Sequence, residues 1–375
     1  MMRYLLWTLG ILCGLALALV LLGPLFIPTA SQGGGAAPRD LARTESRFVG
    51  IPFPGTAGID IHYLAPTQGR RKETDQTFML LHGFTFNSFT WNPVLPFFAG
   101  KGRVLAYDQI PYGLSSKLIA ADWSGPNPYD KEAALEQLFA FMDAQGVARA
   151  LLVGNSSGGT LALEAALARP ERVAGLILVA PWVYARRPTM PAWVAELPQL
   201  RRLSLFIGRK LGEGVLLDYS YADPGRITED RRALMTLHAQ AGGWDLAWGE
   251  LLDRSLSSPV RVSARLEELI LPVLVLAGDQ DKVVPLADTR RVAETLPNAT
   301  LAILPGCGHV PQEECPTQFQ QAVAPWLLAQ AAEVALTSVA SDLGLALVPA
   351  PESRDPESAG QSPPPRPSGT SAPAY

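Results

Sequence analysis

Residues 151–170, LLVGNSSGGTLALEAALARP, turn a buried strand straight into a helix with a serine at the corner. Leu151, Leu152 and Val153 have the continuous apolar character of a strand covered on both faces. Residues 160–169 are Ala/Leu-rich and read as helix, and Pro170 marks its end. A turn this sharp strains the backbone of Ser156, and Gly154, Gly158 and Gly159 keep Cβ atoms out of its way. Such a corner lifts the Ser156 hydroxyl above the C-terminal edge of a sheet and places the Ser157 amide at a helix start, where negative charge is stabilised. The bare G-x-S-x-G pattern is weak, because with Gly and Ser near ~7% each a chain this long contains it by chance on the order of one time in ten. A Gly/Ser turn without chemistry therefore stays open until partners for the serine are found.

The chain has 375 residues, ample for a large core, and its 48% hydrophobic and 18% charged content is that of a globular enzyme with an added apolar segment. The net charge of -4 with mixed signs excludes an electrostatic case for nucleic acid. Of the three cysteines, Cys13 lies in the apolar N-terminal stretch. Only Cys307 and Cys315 could pair, and neither their number nor the size of the domain calls for a disulfide.

Residues 4–27 carry no charge, and at ~1.5 Å per residue they can cross a hydrocarbon layer about 30 Å thick. A cleaved signal segment and a buried core helix are the rivals. The apolar run is longer than the usual signal core, and Pro28 spoils a small-x-small site ending at Ala30, which favours an uncleaved single-pass anchor. Arg3 competes with Arg39, Arg43 and Arg47 for orientation, with a lean towards a catalytic part outside the cytoplasm. Residues 28–47 read as a linker with a Gly-rich spacer at 31–37.

After a short antiparallel pair at 48–52 and 59–64, strands at 77–81, 104–107, 151–153, 175–179, 273–277 and 300–304 alternate with helices at 87–99, 130–145, 160–169, 287–296 and 319–332. This alternation predicts an α/β fold with a mostly parallel, doubly wound sheet. The core falls in two parts, 48–185 and 269–335. Residues 186–268 between them show helical pieces but no strand pattern and contain Trp193, Trp244 and Trp248. They read as a helical cap over the C-terminal edge, with a membrane-associated or partner-binding lobe as the alternative. Residues 336–375 form a tail whose Pro/Ser/Gly-rich end, from 351, cannot bury a core.

A serine hydroxyl needs an adjacent base that a third group orients. Of the four histidines, His309 alone lies downstream of the serine in the core, after the last strand; His238 is in the cap, and His62 reads as a surface or filler residue. The acid is drawn from the loop after 273–277, where Asp281 is preferred and Asp279, at the strand exit, reads as a turn cap. Asp108 reads as a brace for a tight glycine turn, and His82 as a structural turn residue. The Ser157 and Phe84 amides are the candidate oxyanion donors. Phe84, Phe86, Trp91, Trp182 and Tyr184 suggest an apolar acyl pocket, although they could equally be core.

These residues resemble the α/β-hydrolase superfamily over about 48–332. The matching pieces are HGF at 82–84, DQIPYGLSS at 108–116, GNSSGG at 154–159, GDQDKVVP at 278–285 and GCGHVPQEECPTQF at 306–319. The resemblance implies Ser156 as nucleophile, Asp281 as orienting acid, His309 as general base, the Phe84 and Ser157 amides as oxyanion hole, and 186–268 as a lid, with no cofactor and no metal. It points to an esterase or lipase-like serine hydrolase acting on a small ester with an apolar acyl group. Dehalogenases and most epoxide hydrolases of the superfamily use Asp where Ser156 stands. GNSSGG and the CGH segment look like carbon–carbon bond hydrolases of ring cleavage, yet HGFTFNS lacks the H-G-x-G-P-G of that group. A catalytically idle, membrane-tethered binding module is the reading from another class.

Overall fold

The structure, a computed structural model, describes residues 2–66, 76–184, 189–257 and 260–342. The predicted tail therefore lies largely outside the described residues. Helix α1 (Met2–Leu22) opens the chain. The stretch Tyr4–Phe26 has a mean hydropathy of 2.6 with none of it buried, so by length and composition this helix can cross a membrane.

Eight strands form one sheet in the order β1-β2-β4-β3-β5-β6-β7-β8. They are β1 (Ser46–Ile51), β2 (Ile59–Leu64), β3 (Thr77–Leu81), β4 (Arg103–Tyr107), β5 (Ala150–Asn155), β6 (Val173–Val179), β7 (Val273–Gly278) and β8 (Ala299–Leu304). The β1–β2 pair and the β2–β4 contact are antiparallel, and every pairing from β4 to β8 is parallel. Every residue of β5 and β7 is buried, which is why they read as unbroken apolar runs. The chain winds outward from β3 to β4, then returns past β3 to place β5 on its other side. The strand order thus reverses between β3 and β5, the position where open parallel sheets hold their ligands.

Helix α2 (Leu95–Ala99) is much shorter than the 87–99 helix expected, because Pro93 and Pro96 leave a separate 3-10 turn at Ser88–Trp91. Helices α3 (Lys131–Ala144) and α4 (Ser157–Ala168) follow. Between β6 and β7 the chain builds the helical cap from α5 (Ala192–Ala195), α6 (Pro198–Gly212), α7 (Val215–Ser220), α8 (Glu229–Met235) and α9 (Trp244–Ser257). Helices α10 (Leu286–Thr295), α11 (Pro311–Glu314) and α12 (Pro316–Asp342) complete the described residues, the last longer than the 319–332 expected.

The segment that follows α1 is seated on the cap. The Arg209 guanidinium donates to the Pro28 and Ala30 carbonyls at 2.8 Å and pairs with Asp245 at 2.9 Å. Asp245 also accepts from the Ser31 hydroxyl and the Gln32 amide. Ala36 forms a parallel bridge with Ala241. Two of the three glycines that read as spacer are close-approach positions: a Cβ on Gly33 would lie 2.4 Å from the Trp244 ring, and one on Gly34 2.0 Å from the Gln240 carbonyl oxygen.

Candidate active site

At the end of β5 the chain enters Ser156 with φ 52° and ψ -117°, a left-handed conformation that a non-glycine residue adopts only where its surroundings enforce it. The enforcement is visible. The Ser156 amide donates to the Val179 carbonyl at 2.9 Å, and its carbonyl accepts from the Trp182 amide at 3.1 Å. Helix α4 begins at Ser157, earlier than the sequence suggests, and a Cβ on Gly158 would lie 2.3 Å from the Leu81 carbonyl oxygen. Gly154 is equally constrained, its would-be Cβ 2.4 Å from the Gly158 carbonyl oxygen.

Strand β3 runs beside β5 and delivers His82-Gly83-Phe84 to the same edge. A Cβ on Gly83 would sit 3.1 Å from both the Ser156 Cβ and Asn155 Oδ1, so the Phe84 loop lies against the serine. Among the described residues, neither the Phe84 nor the Ser157 amide donates a hydrogen bond. His82 is a turn residue as expected: Nδ1 donates to the Gly83 carbonyl at 2.8 Å, Nε2 accepts from the Gln109 amide, and burial holds its pKa below the ordinary value.

The loops after β7 and β8 supply the other two residues. His309 Nδ1 meets Asp281 Oδ2 at 2.8 Å, with both side chains buried. The second Asp281 oxygen accepts the Val283 and Val284 amides at 2.7 and 2.9 Å, which fixes the carboxylate. Asp279 instead accepts the Gly306 amide, joining the two loops. Asn155 donates from Nδ2 to the His309 carbonyl at 3.0 Å, bringing the His309 loop beside the serine turn. The Ser156 hydroxyl has no hydrogen bond among the described residues, so it is not hydrogen-bonded to His309.

Cys307 and Cys315 are joined in a disulfide that brackets His309, contrary to the sequence expectation. Spacing could not reveal the pairing, since it depends on α11 folding the chain back on itself. Two glutamates that sequence reasoning passed over tie the same loop to the cap. Glu314 accepts the Gly308, Ala222 and Asp223 amides, and the Ser220 carbonyl accepts the His309 amide at 2.8 Å. Glu313 pairs with Arg231 and accepts from the Thr90 and Tyr221 hydroxyls. Their only sequence signal is a doubled acid four and five positions after the histidine.

His62 is not a surface or filler residue. It is fully buried, with Nδ1 2.7 Å from Asp108 and Nε2 2.8 Å from the Ser46 hydroxyl. Asp108 acts as the predicted brace, accepting the Ser88 and Leu114 amides as well. Burial pushes its carboxyl up, but the His62 interaction, with smaller help from His82 and the Ser88 amide, outweighs that and holds it far below the carboxylate range. The suggested acyl-pocket aromatics divide. Phe86 and Trp91 are core residues, while the Tyr184 hydroxyl meets Thr295 on α10. Phe84 joins Tyr112 and Trp248 in an aromatic group, with His238 stacked on Trp248 at 4.8 Å.

Among the described residues no group of three or more His, Cys, Asp or Glu side chains could hold a metal ion. Residues 76–316 match the family model for the alpha/beta hydrolase fold. The chain is 28% identical to the putative carbamate hydrolase RutD of Caulobacter sp. (strain K31) over 276 residues, which are 68% of this chain and 92% of that protein. It is 31% identical over 231 residues to the 2-hydroxymuconate semialdehyde hydrolase of Pseudomonas putida, covering 59% of this chain and 75% of that protein. Among solved structures it is similar to a probable hydrolytic enzyme from Pseudomonas aeruginosa PAO1, with a TM-score of 0.63 and 25% identity, covering 79% of this chain and 99% of the other. A strained serine between β5 and α4, an Asp–His pair on neighbouring loops and this family match over most of the chain together place it in the α/β-hydrolase family.

Proposed function

We propose that this hydrolase cleaves carboxylic esters through an acyl-enzyme on Ser156. The observation that carries the reading is the His309–Asp281 pair, held by Asn155 beside a serine in a strained left-handed turn. Asp281 fixes the tautomer, leaving His309 Nε2 to take the Ser156 proton as Oγ attacks the ester carbonyl. The unengaged Phe84 and Ser157 amides receive the developing oxyanion, where removing one donor typically costs ~3 kcal/mol of transition-state stabilisation. His309 returns the proton to the leaving alcohol, and water activated by the same imidazole releases the acid. The aromatic group of Phe84, Tyr112 and Trp248 suits an apolar acyl chain.

Helix α1 acts as a single-pass anchor, and the Cys307–Cys315 disulfide suits a catalytic domain in an oxidising, extracytoplasmic compartment. A fluorophosphonate probe is expected to label Ser156, and labelling of a Ser156→Ala variant would refute the assignment. The similarity to a semialdehyde hydrolase favours carbon–carbon bond cleavage as the second reading. Turnover of vinylogous diketones in preference to activated esters would select it.

A further inference from the structure

Helix α6 is inverted relative to an ordinary surface helix. Its buried stripe carries Ser204, Leu205, Gly208, Arg209 and Gly212, while its outward stripe exposes Leu203, Phe206 and Ile207. A surface helix of a globular protein turns its apolar stripe inward. Here the buried residues other than Leu205 are small or charged because they must accommodate neighbours: a Cβ on Gly212 would lie 2.0 Å from the Trp244 ring, and one on Gly208 3.2 Å from the Trp248 backbone. The outer apolar face is then unexplained by packing within the chain. Just before it in the chain, Leu197 is 42% exposed and Trp193 70% exposed.

The same face adjoins the place where α1 ends. The turn Gly23–Phe26 packs on α6, the Arg202 guanidinium donates to the Leu25 and Ile27 carbonyls, and Arg209 clamps Pro28 and Ala30. Phe26, 85% exposed, Phe206 and Lys210 line one cavity of about 410 Å³ at this junction. Four cations and no carboxylate lie along α6, although Arg201, Arg209 and Lys210 have acidic partners nearby. An apolar stripe with basic residues beside it is the composition of a helix seated in a lipid headgroup layer.

We infer that the outward face of α5 and α6, with Trp193, Leu197, Leu203, Phe206 and Ile207, rests in the surface of the same bilayer that α1 spans. This rests on the anchor reading of α1. A chain emerging from that bilayer at Leu22 and stapled to α6 by residue 30 has no free length with which to hold the cap away from the lipid. The occupant of the face is therefore the headgroup and upper acyl region around the anchor rather than a separate protein.

The test uses the full chain carrying Trp7→Phe, reconstituted in nanodiscs whose lipids are brominated near the headgroup. Trp193 is the strongly exposed tryptophan that remains, the others being buried or half-buried. Bromolipid quenching is expected, with most of it lost on adding Trp193→Phe or the combined Leu203→Ser, Phe206→Ser and Ile207→Ser substitutions. Turnover of a water-soluble activated ester checks that each variant is folded. A protein that leaves the lipid in carbonate wash refutes the anchor reading and the docking with it. A protein that stays with the disc but shows no Trp193-dependent quenching overturns the docking alone. Crosslinking of two copies through a cysteine placed at Phe206, in discs without such quenching, would assign the face to self-association instead.

Discussion

Asn155, the last residue of β5, donates its side-chain amide to the main-chain carbonyl of His309 at 3.0 Å, across a sequence separation of 154 residues. A second bond from the same nitrogen reaches the Val179 carbonyl. The residue before the candidate nucleophile thus sets where the candidate base can stand.

Replacing Asn155 by Ala removes both bonds, each worth about 1 kcal/mol net. Chemical denaturation is expected to register a loss of about 2 kcal/mol, roughly the sum of the two. Steady-state kinetics on an activated ester should lose kcat with little change in KM, because the substrate pocket stays while the base drifts.

Residues that act as one unit are not additive. Ser156→Ala and His309→Ala are each expected to reduce kcat by about 10⁴-fold or more, and the double variant to lose no further activity. Asp281→Asn keeps the shape but permits the wrong imidazole tautomer, for a loss of about 10⁴-fold. Single-turnover measurements that give multiplicative losses for Ser156 and His309 would contradict a shared step.

The Cys307–Cys315 bridge closes a loop with a sequence separation of 8. Chain-entropy arguments assign such a closure about 2.5 kcal/mol. Cys307→Ser with Cys315→Ser, or reduction of the native chain, should lower unfolding free energy by that order and slow acylation of Ser156. Urea titrations with and without reductant measure the first, and probe-labelling rates the second.

Burial holds the His238 imidazole at about 3 against an ordinary 6.5, and the Lys117 charge adds in the same direction. The unfolded chain takes up this proton as pH falls through 6.5, whereas the folded chain resists until about 3. Stability is therefore lost on acidification across that window and is unaffected by this residue above pH 7. Between pH 7.5 and 4.5 the loss is about 3 kcal/mol. Denaturation of wild type and His238→Phe at both pH values isolates it, since the variant lacks this part of the slope.

The candidate site was readable because its parts are local in sequence: each candidate residue lies within five positions of a strand's C-terminal end, and His309 was the one histidine left in the core after the serine. Parallel strands then bring those strand ends to one edge with no further information. What could not be read depends on distant partners. The burial of His62 follows from Asp108, 46 positions later, and the aromatic group needs Trp248 of the cap to meet Phe84 and Tyr112. Gly33 and Gly34 look like flexible spacer until Trp244 and Gln240 are placed against them. Within 87–99, Pro93 and Pro96 interrupt the helix that this aromatic-rich stretch suggests.

The left-handed backbone at Ser156 sets the proposed chemistry against durability at one position. Glycine would occupy that conformation without penalty, so a Ser156→Gly chain would gain roughly 1 kcal/mol of folding free energy while losing its candidate nucleophile. Selection for thermal endurance alone would erase the serine. The surrounding sheet must therefore be stable enough to keep one residue where it does not relax.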